Sequence, residues 1–204
     1  YRLAQAAQVV TRHVPWLFAV ALAVVNGLLL WLLSDDKQFM IHVRGNNTMP
    51  YVVLVWGSLA GIFVLAYLAR AGGLTWRRWG VLAAGLVVLG LWGLTSYSLI
   101  GDLAFQEQYL TLAALHLPVA AWTLVGAGLL RGLGSAHSRF AFLLKSLELY
   151  ILGGLFLSAL GVLTLVTAGL FQALGIDLPE VTLRLLIAGG AGMVPVLAVA
   201  AGYD

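Results

Sequence analysis

Six runs of apolar residues, each about 20 long, divide the chain, and short polar or glycine-containing stretches separate them. Each run is long enough to cross the roughly 30 Å of hydrocarbon in a bilayer as a helix. The runs are 14–33, 50–69, 79–100, 109–130, 150–171 and 181–202. They are read as helices, because an open strand cannot satisfy its backbone groups in lipid. The pattern therefore predicts an all-α, polytopic bundle of six membrane-spanning helices in a single transmembrane domain, 1–204. Short loops such as "RAGGLTWRR", "GDLAFQEQ" and "RGLGSAHSR" make consecutive helices antiparallel neighbours. Two further segments are amphipathic. "YRLAQAAQVV" aligns Leu3, Ala6, Ala7 and Val10, and "RFAFLLKSLEL" aligns Phe140, Leu143, Leu144 and Leu147. Both are expected to lie along the membrane surface before spans one and five turn in.

Composition agrees with this reading. The chain is 62% hydrophobic and 9% charged, whereas soluble domains are about 25% charged. It holds no cysteine, which excludes disulfides and thiolate metal sites. "YRLAQAAQVVTRH" is not a signal peptide, because Gln5 and Gln8 interrupt its apolar part. The first residue is Tyr1, so a portion of a longer chain is expected.

The charges are sorted by side. Arg2, Arg12, Arg70, Arg77, Arg78, Arg131, Arg139 and Lys145 share one side, and only Lys37, Arg44 and Arg184 lie on the other. Basic residues are retained in the cytoplasm, so both termini are expected there, in a bacterial inner membrane. Asp35, Asp36, Asp102, Glu107, Asp177 and Glu180 make the opposite face acidic. Arg70, Arg77, Arg78, Arg131, Arg139 and Lys145 are candidate contacts for lipid head groups.

Local signals refine the ends of the helices. Thr48 before "MPY" predicts a helix start with proline in the first turn. Asp177 and Glu180 in "DLPE" form a capping-box-like pattern, and Glu180 and Arg184, four apart, are expected to pair. Lys145 and Glu148 are placed to pair three apart. Pro118 and Pro195 lack the N–H that their helices need, so kinks are expected at both. Gly57 and Gly61, a GxxxG, and Gly189 and Gly190 are candidate helix-packing positions.

Polar residues inside the spans are the candidates for function. His116 and Asn26 each lie seven residues inside the acidic end of a span, about 10 Å deep at a rise of 1.5 Å per residue. Ser58, Thr95, Thr164 and Thr167 fall near that level. Polar groups in hydrocarbon are costly unless partnered, so a polar layer inside the bundle is expected, with Asn26 and His116 pointing inward. Such a layer serves either as interhelical glue or as the lining of a small cavity in which His116 relays a proton.

No Walker loop, HExxH, CxxC or paired intramembrane carboxylate is present, and the proline-bearing fourth and sixth spans do not fit a three-plus-three inverted repeat. No catalytic residue, metal site or cofactor is therefore expected, and no nucleic-acid partner.

The stretch "HLPVAAWTL", a basic loop, "RFAFLLKSLELYILGGLFLSALGVLTLVTAGLFQALGIDLPE" and a glycine-rich span ending in "GYD" resembles the bacterial polytopic membrane proteins of domain-of-unknown-function family 4153. The resemblance covers mainly residues 116–204, and the first half by span pattern alone. It implies a multi-pass membrane fold and brings no activity with it. Such proteins continue past the point where this chain stops.

Three functional readings follow. The first is a structural or accessory subunit that contacts lipid and other integral membrane chains. The second is a small-solute or proton transporter or channel using the layer around Asn26, Thr95 and His116. The third is a lipid-directed enzyme using Asp35, Asp36 and His42.

Overall fold

The computed structural model describes residues 15–43, 46–72, 75–100, 103–130 and 135–202. Six helices carry the apolar runs: α1 (Trp16–Leu33), α2 (Tyr51–Gly72), α3 (Trp76–Thr95), α4 (Leu103–Leu129), α5 (Ala136–Ala173) and α6 (Glu180–Ala201). All six are long and apolar enough to cross a membrane. The expected amphipathic segment at Leu3–Val10 lies outside the described residues, as does Arg131.

α2 is the hub, packing against α1, α3, α4 and α6. Its most apolar window is 56% buried, against 6% for α5, whose main neighbour is α6. The main core forms where Tyr67, Leu65 and Val64 of α2 meet Ala19 and Ala23 of α1, Leu86 of α3, Ala121 and Val125 of α4, and Val196 of α6. Small residues permit these approaches. A Cβ on Gly57 would lie 2.6 Å from Pro118 Cα, and one on Gly61 would lie 3.1 Å from Leu86. The GxxxG of the second span therefore packs inside this chain.

Four features differ from the sequence expectations. First, the connection after α1 contains an antiparallel hairpin, β1 (Met40–Val43) and β2 (Asn46–Pro50). Pro50 ends the strand, and α2 begins at Tyr51 rather than after Thr48. Ile41 and Val43 are buried while His42 is exposed, the alternation of a half-buried strand. The hairpin covers Leu54, Leu110, Ala113 and Leu117 at the acidic ends of α2 and α4.

Second, the segment around Phe140–Leu147 does not lie apart from span five. It is the beginning of α5, one continuous helix of 38 residues, about 57 Å long at 1.5 Å per residue. Nothing from Ala136 to Leu152 breaks a helix, since the first glycine is Gly153. The Ser135 hydroxyl caps its start by accepting from the Ser138 N–H.

Third, Leu185–Gly189 of α6 is a π turn. This π turn lies upstream of Pro195, which sits within the Gly190–Ala201 segment. Pro118 lies within α4.

Fourth, α6 has no side-chain cap at its start. Asp177 is exposed, and the Pro179 carbonyl accepts from the Thr182 and Leu183 N–H groups.

Candidate functional site

The candidate residues are distributed over several places. The tightest is the crossing of α1 and α6. A Cβ on Gly27 would lie 2.5 Å from the Gly189 carbonyl oxygen, and one on Gly192 would lie 2.9 Å from Gly27 Cα. Backbone therefore rests on backbone, and the Asn26 amide reaches across, its Nδ2 donating to the Gly192 carbonyl at 2.6 Å. Pro195 cannot donate to the carbonyl of Ala191, four residues back, so Asn26 meets α6 where its ladder is already interrupted. Gly190 turns the other way, toward Leu160 of α5.

The expected polar layer does not assemble. Asn26, Ser58 and Thr164 are buried and Thr167 is half-buried, whereas Thr95 and His116 are exposed on the outer surface of the bundle. Residue counting gives an expected level along a helix but no direction around it. Each of the two also finds a partner one turn back on its own helix. Thr95 Oγ1 donates to Leu91 O at 2.9 Å, and His116 Nδ1 lies 2.7 Å from Leu112 O. The intrahelical bond satisfies the Thr95 hydroxyl without another helix, whereas on His116 it engages Nδ1 alone. His116 is thus corrected from an inward to an outward residue.

At the acidic end, Arg184 does not pair with Glu180. Its Nη1 lies 3.3 Å from Asp35 Oδ2, its Nη2 donates to Trp31 O at 3.2 Å, and its Nε donates to Ser34 Oγ at 3.3 Å. The last turn of α1 offers the Trp31 carbonyl, which also accepts from Ser34 Oγ at 2.7 Å, and the negative end of the helix dipole, which together favour a guanidinium over a single side chain on its own helix. Trp31 Nε1 returns the contact by donating to Val181 O at 3.3 Å. Sequence spacing found the i, i+4 pair but had no means of seeing this fork, whose partners lie about 150 positions away.

The Asp35 carboxyl is held below its ordinary value of 3.8, first by the Lys37 backbone N–H and then, against a desolvation penalty, by Arg184. A carboxylate with a depressed folded pKa stabilises the fold above its unfolded value and loses that contribution as pH falls through the folded value. Asp35→Asn is therefore expected to melt earlier than the unchanged protein at pH 7. The gap should close as the pH drops below about 3.8. Thermal melts in lipid nanodiscs across that range check this, and a gap that persists unchanged at the acid end refutes it.

Asp36 and His42 are exposed, and neither is hydrogen-bonded through its side chain among the described residues. No group of three or more His, Asp or Glu among the described residues is placed to hold a metal ion. On the basic side Arg70, Arg77 and Arg139 are exposed, Arg78 is half-buried, and Lys145 Nζ pairs with Glu148 at 2.9 Å. An open groove of about 200 Å³ runs between α2 and α3 past Tyr51, Val55, Leu59, Leu86 and Leu91. Ser58 lines it, its Oγ buried without a hydrogen-bond partner. The remaining walls are apolar, which suits hydrocarbon.

Together these features define a multi-pass helical membrane protein. Comparison with protein-family models, with curated proteins and with solved structures finds no match to the chain.

Proposed function

We propose that the chain is an integral subunit that binds other membrane chains side by side, in a bacterial inner membrane with both ends cytoplasmic. The eight-to-three division of Lys and Arg supports the orientation. The observation that carries the subunit reading is the outward direction of His116. Ionisable residues within membrane spans almost always face protein or a water-filled cavity rather than acyl chains. The Leu112 carbonyl occupies only Nδ1, which leaves Nε2 facing the hydrocarbon unless another chain covers it. The length and exposure of α5, with Thr164 its one buried residue, support the same reading. A conduction path through Asn26, Thr95 and His116 has no geometric support, because two of the three lie on the outside.

The test is extraction from the native membrane in polymer-bounded lipid particles, followed by measurement of the particle's protein mass. The expected result is more than one polypeptide per particle, with His116→Leu reducing that association. A lone monomer under all extraction conditions would overturn the reading.

A further inference from the structure

α2, α3 and α4 pack in a triangle, each against the other two. Residues of α3 and α4 that point away from α2 share one outer face, and it carries Trp92 on α3 and His116 on α4. Trp92 is 58% exposed. Among the described residues its indole N–H has no acceptor.

The chemistry of the two groups is opposite. A carbonyl only accepts, so in the neutral imidazole the proton sits on Nδ1, pointing at Leu112 O, and Nε2 is left as an acceptor. The indole N–H is only a donor. The face therefore carries one unspent acceptor and one unspent donor.

Their depths are close. A Cβ on Gly93 would lie 2.5 Å from Leu117 Cδ1, so these two residues meet across the α3–α4 seam. Trp92 and His116 are their immediate chain neighbours on antiparallel helices, which places the two within about one helical turn of depth.

Resting on the subunit reading above, we propose that this face pairs with the same face of a second copy, His116 Nε2 of each chain accepting from the Trp92 indole of the other. Copies inserted by one topology rule share an orientation, so the two-fold axis that relates them runs along the membrane normal. Rotation about that axis preserves depth and sets α4 of one copy opposite α3 of the next. A donor and an acceptor within about one helical turn of depth on adjacent helices can meet across such an axis, and the bond forms twice. One turn toward the basic side the same operation sets Val88, 65% exposed, against the exposed Ala120 of the other copy, where the small side chain admits close approach.

The chain has no cysteine of its own, so single-cysteine variants report cleanly. Val88→Cys and Ala120→Cys chains, mixed in one bilayer and oxidised, are expected to give the mixed disulfide dimer in clear excess over either like-with-like dimer. In single-molecule counting across protein-to-lipid ratios, Trp92→Phe and His116→Leu are each expected to weaken the dimer about ten-fold, from two bonds lost at the typical strength of interhelical bonds. Unchanged thermal melts of the same variants show that the monomer fold survives. Equal yields of all three disulfides, or none, overturn the pairing, as does a dimer indifferent to both substitutions. A different chain crosslinking to position 88 or 120 overturns the pairing while leaving the subunit reading intact. A monomer at every ratio, with no other chain bound in native membrane particles, overturns both.

Discussion

Gly27→Val is expected to lower the stability of the protein by about 3 kcal/mol. The reason is what the new side chain meets. Its Cβ alone would sit 2.5 Å from the Gly189 carbonyl oxygen and 3.0 Å from Met193 Cγ. The methionine side chain can move, but a helix carbonyl cannot without breaking the ladder or displacing the helix. α6 must then withdraw from α1, and withdrawal stretches the bond between Asn26 Nδ2 and Gly192 O, now 2.6 Å. Asn26 is fully buried, so loss of that bond strands an amide in an apolar interior. The same shift pulls on the Arg184 fork at the acidic end of these helices. Reversible unfolding in mixed micelles with increasing sodium dodecyl sulfate measures the change. Stability equal to that of the unchanged protein would show that α1 and α6 do not cross at these glycines.

The second large effect is expected at Gly57. Gly57→Val sets a side chain against Pro118, whose Cα would be 2.6 Å and whose Cβ 2.9 Å from the new Cβ. A proline ring has no rotamer to escape into, so the strain falls on the α2–α4 spacing. We expect a cost of about 2–3 kcal/mol. Because α2 is the hub, the loss should appear as one cooperative transition at lower detergent rather than as local fraying. Gly161→Val in α5 is the matched control. A Cβ there would meet nothing within 4 Å, so its effect should remain within about 0.5 kcal/mol. If both substitutions cost the same, helix propensity rather than interhelical contact governs these positions.

Both effects depend on neighbours, and neighbours separate what could be read in the chain from what could not. The count of spans was readable because the bilayer is an outside constraint: any run near 20 apolar residues with few charges has one stable disposition. An expected depth follows from the same constraint, since helical rise is constant. The continuity of α5 was also present in the sequence, in the lack of a breaker before Gly153, but its amphipathic start suggested a surface segment. The hairpin was visible in the alternation of Ile41, His42 and Val43, a short signal that two long apolar runs on either side made easy to pass over.

The sequence by itself determined the number of spans and the sorting of charge, because each of these follows from the energy of single groups in water or hydrocarbon. Only the tertiary structure decided the rotation of each helix about its axis, and with it that Asn26 turns inward while His116 turns out. Rotation is set by which surfaces of α1, α2, α4 and α6 fit at their glycines and prolines, and that fit belongs to pairs of helices rather than to any one of them. The partnership of Arg184 with Asp35 has the same origin, because an ion pair across 149 positions exists only once two helix ends have been brought together.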